Sequence, residues 1–342
     1  MRTTDLAPTR LPDRLRDTQR LLFIAKHAKW TGGLHPDDGN HALYHCETRE
    51  ILEALGMPLV VADNYAELFT RPAADFVFPL LNRGGFYNSE MLLPLLCNRL
   101  GLRYIGASPI VRGLSDDKHL TKLEAAARGI PTAPWSVFRR GAPVDASRCP
   151  PARRWVIKPN NSSASWGIRD AHDRVELAQA IAEIHALDHD AIVEPFIDGS
   201  DVEVPVITVD SEPAMLPMMI FEQADPSHLR TYQEKRDLVD RSQKYSLKLF
   251  DDPAIGARLV DYTRAMAKVF RPFDYGRFEF RVDFATGEIR LLEVNLNCNL
   301  WSEKVFGRAA VAAGFTQADL IETIVAESMI RQLVGFARRD AA

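Results

Sequence analysis

The feature that most constrains the fold is a stretch near the C-terminal end, Gly276 to Asn295, which reads GRFEFRVDFATGEIRLLEVN. Its two halves are strand-like runs, predicted over Gly276 to Phe284 and Glu288 to Val294, and Ala285-Thr286-Gly287 between them supplies the turn of an antiparallel hairpin. Folded so, Glu279 on one strand faces Glu293 on the other. Asn295 follows two residues later and therefore lies on the same face. Three oxygen ligands then converge, a set suited to Mg²⁺, which takes one or two carboxylates and fills its octahedron with phosphate oxygens and water. Two such cations beside one triphosphate would neutralise charge and leave the γ-phosphoryl group open to in-line attack. A surface hairpin with solvated acids is the alternative, but Glu293 and Asn295 sit within LLEVNL, an apolar context where unpaired acids are costly.

A chain of 342 residues can build two or three joined subdomains around a cleft. With 46% hydrophobic residues, 26% charged residues and a formal net charge of -4, it carries no electrostatic footprint for nucleic acid. No apolar run approaches membrane-spanning length or follows a charged segment as in a signal peptide, so a cytoplasmic location without membrane partners is the default expectation. Cys46, Cys97, Cys149 and Cys298 show no zinc-like or disulfide-framework spacing and are expected as reduced thiols.

Periodicity predicts alternating strands and helices in the first third. The strands are Arg20 to His27, Met57 to Ala62, Asp75 to Leu81 and Leu102 to Gly106; the helices are Asn40 to Gly56 and Ser89 to Leu100. That alternation implies a small parallel α/β unit. A helix over Asp116 to Gly129 and strands Trp155 to Pro159 and Ala191 to Ile197 flank a helix from Arg174 to His185. Val202 to Val209, Leu216 to Phe221, a helix from Ala254 to Phe270, the hairpin and a last helix from Gln317 to about Gly335 complete the chain.

Within this outline Lys158 ends the strand WVIKP and precedes NNSSASWG, whose small residues can wrap backbone amides and hydroxyls around phosphate oxygens. Glu194 to Ile197 can form a hinge against a purine ring, and Asp201, past a glycine, can reach ribose hydroxyls. Lys118, Lys122 and Lys235 carry no signal individually.

In order and spacing, Lys118, Lys158, the polar loop, Glu194, Asp201, Lys235, Arg277, Glu279, Glu293 and Asn295 resemble the ATP-grasp superfamily. The closest resemblance is to its D-alanine:D-alanine ligase-like branch, over roughly Phe23 to Gly335. DKHLTKLEAAARGIPTAPW (Asp117 to Trp135), KPNNSSASWGI (Lys158 to Ile168) and VEPFIDGSD (Val193 to Asp201) carry it together with the hairpin. The fold implied is α/β and α+β, an ATP-grasp fold behind an N-terminal pre-ATP-grasp α/β domain. Its expected limits are a polar arm at 1–20, the N-terminal domain at 21–113, a central ATP-binding subdomain at 114–198 and a C-terminal metal-binding subdomain at 199–335.

By position the resemblance implies that Lys118 and Lys158 contact phosphates, Ser163, Ser165 and Trp166 lie in the loop over them, and Glu194, Pro195, Phe196 and Ile197 hold adenine. Asp201 would bind ribose, Lys235 the γ-phosphate, and Arg277 the transferring phosphate or tetrahedral intermediate. Glu279, Glu293 and Asn295 would bind Mg²⁺. Lys244 competes with Lys235, and Asp283 with Glu279; Lys235 better fits the family's distance to the hairpin, and Glu279 follows the Gly-Arg pair.

The implied activity is ATP-dependent carboxylate-amine ligation through an acyl phosphate, with ATP and two Mg²⁺. A carboxylase or phosphotransferase and a nucleotide-binding module without turnover are the alternatives. The departures fall where the family grips D-alanine: AKHAKWTGGLH in place of its first-strand motif, Leu81-Asn82 in place of its HG pair, and Asn295-Leu296-Asn297-Cys298-Asn299 in place of its NTxPG turn. Amino-acid-like small-molecule substrates other than D-alanine are therefore expected, read by Asn82, Arg83 and Asn297 to Trp301. A homodimer is implied by the resemblance alone.

Overall fold

The computed structural model describes residues 6–81, 89–240 and 245–334. Asn82, Arg83 and Lys244 lie outside the described residues. Three sheets organise the chain. The first is parallel, in the order β2-β1-β3-β4, built from β1 (Leu21–Ile24), β2 (Leu59–Ala62), β3 (Phe76–Pro79) and β4 (Arg103–Tyr104). Every residue of β1 and β3 is buried, as central strands covered on both faces require. The chain leaves β1 to one side for β2 and returns to the other for β3. Ligand crevices open at such a reversal, beyond the carboxyl ends of the strands; Lys26 and His27 after β1, and Leu80 after β3, line a cavity there.

The second sheet is antiparallel, in the order β5-β8-β6-β7: β5 (Ser136–Phe138), β6 (Trp155–Pro159), β7 (Arg169–Ala171) and β8 (Ala191–Pro195). The helix Arg174–Ala186, capped by the Asp173 carboxylate on the amides of Val175 and Glu176, covers it with Leu177, Ile181 and Ile184.

The third sheet runs β12-β11-β9-β13-β14, with β10 paired to β9. Its strands are β9 (Ser200–Val209), β10 (Glu212–Met215), β11 (Met219–Gln223), β12 (Tyr245–Leu249), β13 (Tyr275–Asp283) and β14 (Glu288–Leu296). Val202, Val204, Val206, Phe278, Phe280 and Val282 point to one face and meet the helix Pro253–Val269. Burying each of these side chains contributes roughly 1.5–3 kcal/mol. The opposite face carries Asp201, Glu203, Arg277, Glu279 and Arg281, which is how strand alternation divides core from chemistry.

The hairpin forms as expected, while other stretches differ. The strand expected from Leu216 begins instead at Met219, because Pro217 cannot donate to the ladder. The missed strand β10 returns on β9 through Asp210 and Ser211, both left-handed at φ 53° and 64°. The helix Pro109–Asp116, with proline at its first turn, was also unforeseen, and the expected boundary between 113 and 114 falls inside it. All four cysteines are free thiols. Among the described residues no single helix is long and apolar enough to cross a membrane.

Candidate active site

On the polar face of the third sheet, Glu279 pairs in register with Glu293 on β14 and with Glu203 on β9. A β-bulge follows immediately: Phe280 pairs with Leu291, so Leu292 is the extra residue. Core residues of β14 therefore change parity, from Ile289 and Leu291 to Val294 and Leu296, and Leu292 turns toward a cavity beside Glu293.

Asn295 ties the two hairpin acids together, its Nδ2 donating to Glu293 Oε1 at 2.9 Å and to Glu279 Oε1. Arg277 lies between Glu279, at 2.6 Å, and Glu203 Oε2, at 2.7 Å from Nε. Burial raises the Glu203 carboxyl above the ordinary range, with Arg277 opposing the rise. Burial also works against ionised Glu293, yet Lys118, the Asn295 amide and Lys158 together hold it at about 2. The Lys118 ammonium sits 3.3 Å from Glu293 and also donates to the Ser162 carbonyl.

Lys158 is fixed from the second sheet. Glu194 holds Lys158 with Oε2 at 2.5 Å and Lys122 with Oε1, and those two cations bring it down to about 2 despite burial. The Glu194 carboxylate thus orients a lysine; any reading of a base falls to the backbone of the hinge after it. Sequence reasoning passed over Lys122, which is fully buried. The available signal was its position four residues after Lys118, on the same helical face. Glu203 and Arg230 were missed as well.

After β6 the loop carries left-handed Ala164 (φ 55°) and Ser165 (φ 59°), and a turn bond runs from Trp166 N to Ser163 O at 3.1 Å. Ser163 and Ser165 line a cavity of about 140 Å³ with Lys118 and Lys158. Pro195, Phe196, Ile197 and Asp201 form its opposite side. Trp166 stands apart: its ring packs edge-on against His189 at 5.2 Å and lines an outer groove. Both oxygens of Asp201 are already engaged, by Arg230 and Arg281 at 2.9 Å each.

A second, larger cavity of about 270 Å³ extends from the hairpin toward the parallel sheet. Arg277, Asn295 and Asn299 line it on one side, Lys26, His27 and Asp38 on the other. Ser163, Arg230, Lys235, Glu279 and Glu293 border both cavities. Lys235, in the one-turn helix Tyr232–Lys235, makes no side-chain hydrogen bond or ion pair among the described residues, although Glu279, Asp201 and Glu293 attract its charge. Burial and the nearby Arg230 lower its pKa. Asp283, the alternative metal ligand, is instead tied into the hairpin turn by Ala285 N and Thr286 Oγ1.

The hairpin set fits Mg²⁺. Two carboxylates converge on one amide, and turning that amide would present its oxygen to the same point. Two acids and an amide leave coordination places for phosphate and water. Among the described residues no cluster of three or more histidines, cysteines and acids is arranged to hold a metal.

Two charged cavities meet at a carboxylate hairpin on one antiparallel sheet, and a polar loop from a second sheet lines both, an arrangement that together with the family match identifies an ATP-grasp ligase, an enzyme that forms carbon-nitrogen bonds. The family model described as D-ala D-ala ligase C-terminus matches residues 125–326, and the chain belongs to that family. An uncharacterized protein of Sinorhizobium fredii, y4sG, is 29% identical over 68% of this chain and 68% of its own length. The D-alanine--D-alanine ligase of Carboxydothermus hydrogenoformans is 25% identical over 77% of this chain and 84% of its own. The D-alanine--D-alanine ligase of Bacillus anthracis, solved with ATP, shares the fold at a TM-score of 0.70 and 18% identity, covering 95% of this chain and 100% of that one.

Proposed function

We propose that this chain uses Mg²⁺-bound ATP to phosphorylate a small-molecule carboxylate and then joins the acyl group to an amine, releasing ADP and phosphate. The observation that carries this reading is the junction of the two cavities at Lys235, Glu279 and Glu293, with Arg277 opening only to the larger one. ATP belongs in the smaller cavity, its phosphates against Lys118, Lys158, Ser163 and Ser165, and its adenine against Glu194 to Ile197. Asp201 reaches ribose once one of its arginines yields. Glu279, Glu293 and Asn295 would hold Mg²⁺, which neutralises phosphate charge during transfer.

The carboxylate and amine occupy the larger cavity. Arg277, kept charged by the acids on either side, faces negative charge that develops as phosphate leaves. The lining also supports substrates other than D-alanine. An ion pair of Lys26 with Asp38, joined by His27, forms a polar wall on the side of the parallel sheet, and Lys304 lines the same cavity. The Lys304 ammonium is met by the Tyr245 hydroxyl at 3.4 Å and the Trp301 ring, and by no carboxylate among the described residues. A pocket so charged favours amino-acid-like groups with their own charges.

Incubation with ATP, Mg²⁺ and pairs drawn from an amino-acid panel tests the reading. ADP release that requires a carboxylate and an amine together is the expected result. Release with a single substrate would replace ligation by phosphotransfer, and nucleotide binding without release under any pair would leave a binding module.

A further inference from the structure

We infer that the loop from His35 to Asn40 is a latch that positions Lys235 between the two cavities, with Asp38 and Asn40 as its positioning residues. The inference rests on the proposed reaction and on the γ-phosphate role that the family resemblance implies for Lys235, which lies where the two cavities join. The loop is closed on itself by His35 N to Gly39 O at 3.1 Å and Gly39 N to His35 O at 2.7 Å. Its base is fastened to the end of β1, where Asp38 Oδ2 accepts from Lys26 and from His27 Nε2 at 2.7 Å.

From this base the loop grips the segment carrying Lys235, almost two hundred residues away in sequence. Asn40 N donates to Arg236 O at 3.0 Å. Asn40 Nδ2 donates to Lys235 O at 3.1 Å and to Asp237 Oδ2 at 2.7 Å. Asp38 Oδ1 faces the Arg236 guanidinium at 3.4 Å. Gly39, left-handed at φ +56°, approaches so closely that a Cβ would lie 1.8 Å from Arg236 O.

The lysine needs such a holder. Its helix is a single turn of four residues, closed by a Thr231–Glu234 capping box, and a turn that short does not hold its place unaided. The Lys235 ammonium makes no hydrogen bond or ion pair among the described residues and feels Glu279, Asp201 and Glu293 only at longer range, so its location is set chiefly by its main chain, which Asn40 bonds directly. Both amide hydrogens of Asn40 are used on acceptors. An aspartate of the same shape would turn lone pairs toward the Lys235 carbonyl and the Asp237 carboxylate.

The test measures binding to the full chain of two Mg²⁺-loaded probes, ADP and the imido analogue of ATP, and follows the ratio of their affinities. Lys235→Ala first checks the underlying role: it should lower affinity for the imido analogue on the order of tenfold and leave ADP unchanged, as loss of one charge-assisted contact predicts. Asn40→Ala and the milder Asp38→Asn should reproduce that selective loss, with unchanged ADP affinity reporting an intact fold. The double variant Asn40→Ala/Lys235→Ala should bind no more weakly than Lys235→Ala alone. If Lys235→Ala loses the preference while both loop variants keep it, or if the double variant shows the two losses added in full, the latch is overturned and the role of Lys235 stands. A Lys235→Ala variant with the wild-type ratio overturns that role and the latch with it.

Discussion

The two ends of the cleft are built by opposite means. At the hairpin end, charged residues sit on adjacent strands and are placed by ladder register: Glu203 beside Glu279, Glu279 beside Glu293, Arg277 beside Asn295. At the other end, Lys26, His27 and Asp38 follow the carboxyl end of a parallel strand and are placed by loop contacts. A register holds side chains through a regular ladder of backbone bonds that any sequence can make, whereas this loop adds to its few backbone bonds the side-chain contacts of Asp38 and Asn40, which depend on those residues. On the proposed function, the first arrangement would fix where the chemistry happens, and the second would leave room to change what is joined.

The largest predicted effect breaks the register end. Glu293→Ala removes a converging carboxylate and strands Lys118, which it neutralises at 3.3 Å. ADP release should fall by at least about a thousandfold, equivalent to roughly 4 kcal/mol of transition-state stabilisation. The melting transition should remain cooperative. Undiminished turnover would remove the hairpin from the chemistry and erase the distinction between the two ends.

The next effect concerns stability. Glu194 is held by Lys122 and Lys158 in a site without exposure to spare, and Lys122 also donates to Thr132 at 2.6 Å. Lys122→Ala leaves a buried carboxylate with one cation. A loss of about 3 kcal/mol in denaturant unfolding is expected, the scale for breaking a buried ion pair from one side. A neutral effect would show that Lys158 alone satisfies Glu194.

This contrast also explains what could be read from the sequence. The hairpin was legible because its turn and alternation are local, and Glu279 opposite Glu293 followed from them. The parity change in IRLLEVNL held the signature of the bulge, yet two adjacent leucines satisfy several registers, so it went unread. Lys122 was hidden because a helical lysine looks the same whether solvated or buried; only the Glu194 carboxylate, about seventy residues on, makes burial tolerable. Asn40 was beyond reach for the same reason, since its partners lie at Lys235 to Asp237, as was the longer contact of Asp38 with Arg236. Pro217, by contrast, was visible and should have ended the strand drawn through it.

The smallest effect separates the two ends by pH. His45, 3% exposed, is lowered from 6.5 to about 3, chiefly by burial and then by His27, Arg236 and Lys26, with Asp38 opposing. His27 is lowered as well, by burial before all else. A histidine depressed in the folded state binds protons more readily when unfolded, so its contribution is complete above 6.5 and is lost as pH falls toward its folded value. For His45 the loss between pH 6.5 and 5 is about 2 kcal/mol. Glu194 and Glu293, lowered from 4.5 to about 2, keep their contribution through that window and lose it between about 4.5 and 2. Acidification to pH 5 should thus weaken the parallel-sheet end first, seen as lost amide-exchange protection around β1 and the helix His41–Ala54 before the hairpin. His45→Gln should flatten the stability profile between pH 6.5 and 5 and leave the lower limb intact. An unchanged slope in that variant would assign the upper limb to another group.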